Sequence, residues 1–265
     1  MPPNLKLLAE VTPVILTFNE APNIARILAK LVWAKEVVVV DSGSTDQTLE
    51  ILGTFSNVRC AHRPFDSHAN QWNFAIKETG ISTEWVLALD ADYLITDALV
   101  AEIDALKPSH EIDGYETAFL YCIFGKPLRG TLYPPVTTLY RHASGTYVQD
   151  GHTQRIRLTG SVQRLSSRIW HDDRKPLSRW LVSQAKYADQ EAELLLSKPA
   201  SELRIQDRLR RMLVITPWLV PLYCLTVGRG VLDGWAGIYY ALQRAVAEAV
   251  LALKLLEARL RAGRR

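Results

Sequence analysis

Asp90 and Asp92, in the stretch VLALDADYLI (86–95), are two carboxylates one residue apart at the end of an apolar run. Alternate side chains of an extended segment face the same way, so the pair can project together from a sheet's edge. Two carboxylates held that close raise one another's pKa unless a cation sits between or beside them. Mg2+ or Mn2+ meets that need, since these hard ions take one or two carboxylates plus substrate phosphates. A solvated acidic loop, continued by Asp97, is the plain structural alternative. An EF-hand is a poorer match, because DADYLITDALVAE lacks the turn glycine and the alternating oxygen ligands.

Other polar residues end apolar runs in the same manner. TPVILTF (12–18) leads into Asn19-Glu20, and EVVVVD (36–41) opens the turn Asp41-Ser42-Gly43-Ser44-Thr45-Asp46. An ordinary strand-to-helix turn with Thr45 or Asp46 as cap explains the second as well as a ligand site does. TYVQDGHTQRI (146–156) offers Asp150 and His152 as proton acceptors, although Asp-Gly is also a strong hairpin signal. IWHDDRKPLSRW (169–180) sets His171, Asp172 and Asp173 beside Arg174 and Lys175. These suit a metal shell with His171 as ligand, a lid whose basic residues meet anionic charge, or the approach to a helix starting at Leu177.

The elements that must position these residues alternate along the first hundred positions. The runs 12–18, 36–41, NVRCA (57–61) and EWVLALD (84–90) read as strands, with helical patterns of ten or more residues between them. That order predicts an α/β fold with a mostly parallel sheet and helices on both faces. Ligands bind such sheets beyond the carboxyl ends of the strands, where strand order reverses. Those are the ends that carry the polar residues.

Composition narrows the class. With 265 residues and 48% hydrophobic content the chain can bury a sizeable core. Cys60, Cys122 and Cys224 are widely spaced, so neither a disulfide framework nor a CxxC metal site is expected, and a reducing cytosolic setting fits. The opening MPPNLKLLAEVTPVIL lacks the flanks of a signal peptide, so no export is expected. Residues 201–265 hold 11 Lys or Arg against 5 Asp or Glu, leaving the remainder slightly acidic. Because these bases alternate with long aliphatic stretches, the partner they indicate is an anionic membrane surface and not nucleic acid. The alternative is a helix packed on the body with its arginines solvated.

The ordered set LTFNE (16–20), VVVVDSGSTDQT (37–48), NQWNFAI (70–76) and LALDAD (87–92) resembles family 2 glycosyltransferases of the GT-A fold. It is most similar to bacterial enzymes that add sugars to lipopolysaccharide core or other lipid-linked acceptors. The resemblance is specific over residues 11–107 and dilute beyond. It implies a nucleotide-sugar-binding half at 1–107, an acceptor-binding half at 108–175 and a helical extension at 176–265. Thr17, Asn19 and Glu20 then approach the nucleotide, Asp41 with Ser42 reads the base, and Asn73 faces the donor. Asp90 lies on the ribose side and Asp92 ligates the metal. Trp72 stands where the family often has arginine, and Tyr93 where an acid usually follows the acidic pair. The family inverts configuration by direct displacement, with a carboxylate deprotonating the acceptor hydroxyl. Asp150 is the candidate base, with His152 and then Asp172 as rivals.

From Pro176 onward the pattern is helical. RMLVITPWLVPLYCL (211–225) is a run of about 14 apolar residues broken by two prolines, short of the ~20 that span a bilayer, so it is expected to lie in the interface. The predicted protein is a cytosolic enzyme, peripheral on the inner face of the cell membrane. A sugar nucleotidyltransferase would carry an early glycine- and arginine-rich phosphate loop, which this sequence lacks. A silent nucleotide-sugar-binding module would keep Asp41 without a working base, and a structural membrane-surface protein would need neither Asp90 nor Asp92.

Overall fold

The structure, a computed structural model, describes residues 7–150 and 153–262, with the backbone alone at 150 and 153. Its contacts form two compact units: Met1–Cys122 with Tyr133–Arg174, and Ile123–Leu132 with Lys175–Arg265.

In the first unit β1 (Val11–Thr17), β2 (Val37–Asp41), β3 (Val58–His62) and β4 (Trp85–Asp90) are linked through α1 (Ile24–Leu28), α2 (Thr48–Leu52) and α3 (His68–Lys77). There follow β5 (Tyr93–Leu94), α4 (Asp97–Ala105) and β6 (Ile112–Ile123). A short β7 (Lys126–Pro127) lies in the second unit's segment, and β8 (Val136–Arg141), β9 (Thr146–Asp150), β10 (Thr153–Arg157) and β11 (Ser161–His171) complete the strands. The main sheet runs β3-β2-β1-β4-β8-β6-β11-β5. The pairs β3-β2, β2-β1, β1-β4 and β6-β11 are parallel, whereas β8 is antiparallel to both neighbours. The fold is thus α/β, parallel through its first half and mixed beyond β4.

Period-two alternation divides each central strand between two cores. Ile15, Val37, Val39, Leu87 and Leu89 face one cluster with Ile24, Ile27 and Leu28 of α1 and Leu99 and Ile103 of α4. Val14, Val38, Val40, Val86 and Ala88 face the other, with Trp72, Ala75 and Ile76 of α3. Both faces are covered, which is why these strands read as unbroken apolar runs. The connecting helices are shorter than the sequence predicts: α1 and α2 have 5 residues each. Both then tighten into turns whose N–H groups reach back three residues, Leu31 to Leu28 and Phe55 to Leu52. After α1, that winding keeps Leu31 fully buried.

In the second unit α5 (Leu177–Ser197) starts at the predicted position and is followed by α6 (Ile205–Arg210), α7 (Thr216–Leu225) and α8 (Trp235–Ala262). Ala188, Ala192 and Leu195 of α5 meet Leu251 and Leu255 of α8. Residues 123–132 join this unit through Asp233: its carboxylate accepts from the Arg129 N–H at 2.9 Å and its carbonyl from Lys126 Nζ at 2.7 Å. Among the described residues no helix is long and apolar enough to cross a membrane.

One irregularity in β11 bears on the site. Between Arg164, opposite Glu116, and Arg168, opposite Ala118, β11 carries two more residues than β6. The N–H groups of Ser166 and Ser167 in this bulge donate to the Glu102 carboxylate of α4 at 2.7 and 2.8 Å. Burial opposes the ionised form of Glu102, but these serine contacts outweigh it and hold its carboxyl below the ordinary value. A carboxyl depressed by folding stabilises above its unfolded pKa, and that contribution fades as pH falls through the folded value. Glu102→Ala is expected to cost about 1 kcal/mol near neutral pH, the pair being partly solvated. The loss should shrink toward acid pH in urea denaturation, and a pH-independent difference would show that the carboxylate is not what holds the bulge.

Candidate active site

Three strand ends come together where strand order reverses around β1. Thr17 lies opposite Asp41 in the β1-β2 register, and Leu16 lies opposite Asp90 in the β1-β4 register. The loops leaving these ends interlock. Asn19 has φ 55°, a left-handed value that asparagine tolerates better than most residues. Its N–H donates to Ser44 Oγ at 2.8 Å, and its side-chain carbonyl accepts from the N–H of Thr45 at 2.7 Å. The Glu20 N–H donates to Thr48 Oγ1 at 2.8 Å. Asp41 is fully buried and accepts from the N–H groups of Gly43 and Ser44 at 2.8 and 2.9 Å, with the Ser44 hydroxyl on its other oxygen. In this conformation the acid that the resemblance sets against a base shapes its own loop. The Thr17 hydroxyl beside it is buried without a hydrogen-bond partner.

Residues 71–73 brace these loops. Gln71, fully buried, donates to Ser42 Oγ and to the Arg63 carbonyl, each at 3.0 Å, and accepts from Arg63 Nη1 at 2.6 Å. Asn73 pairs both ends of its amide with the Tyr147 backbone, each at 2.9 Å, while Trp72 stacks on the Tyr147 ring at 5.3 Å. Asn73 therefore fixes β9, the strand that ends at Asp150. Asp150 stands opposite Thr153 at the end of the β9-β10 ladder. Its side chain, and the whole of His152, lie outside the described residues.

The acidic pair meets the end of β11. His171 Nε2 lies 3.1 Å from Asp92 Oδ2, inside a ring of Tyr93, Phe119, Tyr121 and Tyr133 whose centroids are 4.8 to 6.5 Å away. Burial works against an imidazolium here, but Asp92 in contact and Asp90 and Asp173 nearby outweigh it and raise the His171 pKa. The other ring nitrogen, Nδ1, is buried without a hydrogen-bond partner. Tyr93, at the position after the pair, has its phenol pushed well up by burial and further by the Asp90 charge. Among the described residues no three His, Cys, Asp or Glu side chains form a ready metal cage. Asp92 and His171 are the described residues that could contribute ligands to Mg2+ or Mn2+, which would take the rest of its shell from water and phosphate oxygens.

The segment after His171 is tied to α1 by Asn23 and Arg26, two residues that sequence reasoning passed over. Asp172 is buried, with Arg26 and Arg174 both on Oδ2, the latter at 2.8 Å through Nη2. Asn23, also buried, donates to Asp173 Oδ1 and accepts from the Arg174 N–H, each at 2.9 Å. Asn23 and Arg26 are three apart at the start of α1, the spacing that puts two helix side chains on one face. That spacing was the available signal, but it names no partner 150 residues away.

Comparison with known proteins bears on the same strands. Residues 12–117 match glycosyl transferase family 2. This family match overlaps nearly all of the 11–107 stretch in which the four motifs occur. An uncharacterised glycosyltransferase of Rickettsia conorii is 33% identical over 113 residues, 42% of this chain and 39% of that protein. The lipopolysaccharide core biosynthesis glycosyltransferase LpsC of Rhizobium meliloti is 31% identical over 109 residues, 39% of this chain and 40% of that one. The matched stretch thus spans about two fifths of the length of these relatives. A more distant likeness is to S. aureus TarS 1-349 in complex with UDP-GlcNAc, at 17% identity and a TM-score of 0.47, covering 96% of this chain and 92% of that one.

The His171–Asp92 contact makes a direct prediction. A histidine whose pKa is raised by folding stabilises below its unfolded value, and that contribution is lost as pH rises through the folded pKa. Asp92→Asn in metal-free buffer is expected to lower the His171 pKa, read by NMR titration of the ring protons. It should also cost on the order of 1–3 kcal/mol of stability below about pH 6, and less at alkaline pH. An unmoved His171 titration would mean that Asp92 is not its partner in solution.

Proposed function

We propose that the chain moves a sugar from a nucleotide-sugar donor to a hydroxyl of a lipopolysaccharide or other lipid-linked acceptor, inverting the anomeric carbon. The observation that carries this reading is that the family match over 12–117 falls on strands whose carboxyl ends bring Thr17, Asp41 and Asp90 side by side. The acceptor class is supported by the relative named for lipopolysaccharide core biosynthesis.

In this reading Asn19, Glu20, Ser42 and Asp41 form the nucleotide's loop wall, Asn73 holds the wall opposite, and Asp90 meets the ribose. Asp92 and His171 would hold Mg2+ or Mn2+, which would neutralise charge on the departing nucleoside diphosphate. Asp150 takes the acceptor hydroxyl's proton as its oxygen bonds to the anomeric carbon, and the bond from that carbon to the diphosphate breaks with its electron pair leaving on phosphate. Asp172 is the weaker base candidate, because both guanidiniums on its Oδ2 make it an anchor of the 171–174 segment. Imidazolium cannot ligate a metal, so metal-dependent nucleotide binding should weaken as pH falls.

Calorimetry of the full chain with UDP, with and without Mn2+, and donor hydrolysis over a panel of nucleotide sugars test the reading. Metal-dependent binding lost in Asp92→Asn is expected. Asp150→Asn should keep binding and lower transfer by about 10²–10⁴-fold, with His152→Ala as the control. A folded chain that binds no nucleotide diphosphate and hydrolyses no nucleotide sugar would overturn the proposal.

A further inference from the structure

The helices of the second unit expose an apolar surface with a charged border. The segment MLVITPWLVPLYCLTVG (212–228) has no charged residue. Its helix α7 buries Thr216 and Cys224 and turns Trp218, Leu219, Leu222 and Tyr223 outward, with Trp218 77% exposed. The same apolar character continues after the helix through Val227, Val231, Leu232, Trp235 and Ile238, all exposed. Isolated apolar residues on a surface mean little, but this many from successive turns make a patch of the kind that marks an interaction site.

Charge identifies the partner. From residue 208 to 248 the only acids are Asp233 and Glu248. Both are buried and held by arginine: Asp233 by Arg129 at 3.0 Å and Glu248 by Arg210 at 3.0 Å. Along the sequence Arg208, Arg211, Arg229 and Arg244 flank or interrupt the apolar stretch, and the only acids between them and residue 248 are the two buried ones. A second copy docked about a two-fold axis would set the same patch, arginines included, against itself. Anionic headgroups around an acyl layer complement both the border and the centre.

We propose that α7 and the 227–238 segment are a membrane-docking surface that lies flat in the headgroup layer of an anionic bilayer. Trp218, Tyr223 and Trp235 sit at the depth that amphipathic aromatic rings favour. The 10 residues of α7 are about 15 Å long, half of the hydrocarbon thickness, and its buried face is committed to the protein. The helix therefore enters the interface without crossing. The backbone sets the surface's shape: a Cβ on Gly228 would lie 2.6 Å from the Cys224 carbonyl, and one on Gly237 would overlap Gly230. This surface stands independently of the glycosyl-transfer reading, since its test involves neither nucleotide nor acceptor.

The test is cosedimentation of the full chain with vesicles of phosphatidylcholine alone and of phosphatidylcholine mixed with phosphatidylglycerol. Binding is expected to the mixed vesicles, to decline with added salt, and to fall by about tenfold or more in Trp218→Ser/Leu222→Ser. Both positions are exposed, so circular dichroism of the variant should match the parent. Brominated lipids should quench tryptophan emission, and Trp218→Phe should lose part of that quenching. Equal vesicle binding by parent and double variant would overturn the proposal. So would a dimer in lipid-free buffer that the double variant dissociates, which would assign the surface to a second copy.

Discussion

Burial of β1 on both faces is the constraint on which the first unit depends. Val14 and Ile15 face opposite cores and both are inaccessible to water, so polar function cannot be placed along the strand. It can be placed only at the carboxyl end, and the flanking parallel strands are under the same restriction. Registry then does the rest: Thr17 against Asp41 and Leu16 against Asp90 follow from pairing the apolar runs. Chemistry collects at one edge because the hydrophobic effect excludes it elsewhere.

The parts of this arrangement that depend on local sequence were legible in advance. Strand positions, the polar strand ends and the start of α5 at Leu177 follow from apolar runs, turn residues and Pro176. Helix length was less legible, since α1 and α2 have the composition of longer helices but tighten to bury Leu31 and to turn at Gly53. Least legible were the partners. That Asn73 clamps the Tyr147 backbone, or that Asn23 reaches Asp173, depends on chain separations of 74 and 150 residues, over which spacing carries no information.

Asp41 and Asp172 show how the same residue type can secure the loops of a site. Asp41 closes a turn through Gly43 and Ser44, whereas Asp172, itself buried, holds the partly exposed Arg26 and Arg174 on one carboxylate oxygen. Both are acids in motifs that suggest chemistry, and each secures the loop on which its neighbours stand. Buried charge is tolerated at Asp172 because two guanidiniums compensate the lost hydration. The loops of the site are thus held by carboxylates withdrawn from solvent.

The bulge in β11 restricts the lengths this strand can have. It adds two residues between Arg164 and Arg168, and an even number leaves the alternation of faces unchanged up to His171. One residue more or fewer would turn the imidazole to the opposite side of the sheet from Asp92. The stretch between the bulge and His171 is therefore fixed in parity as well as in length by the carboxylate it must meet.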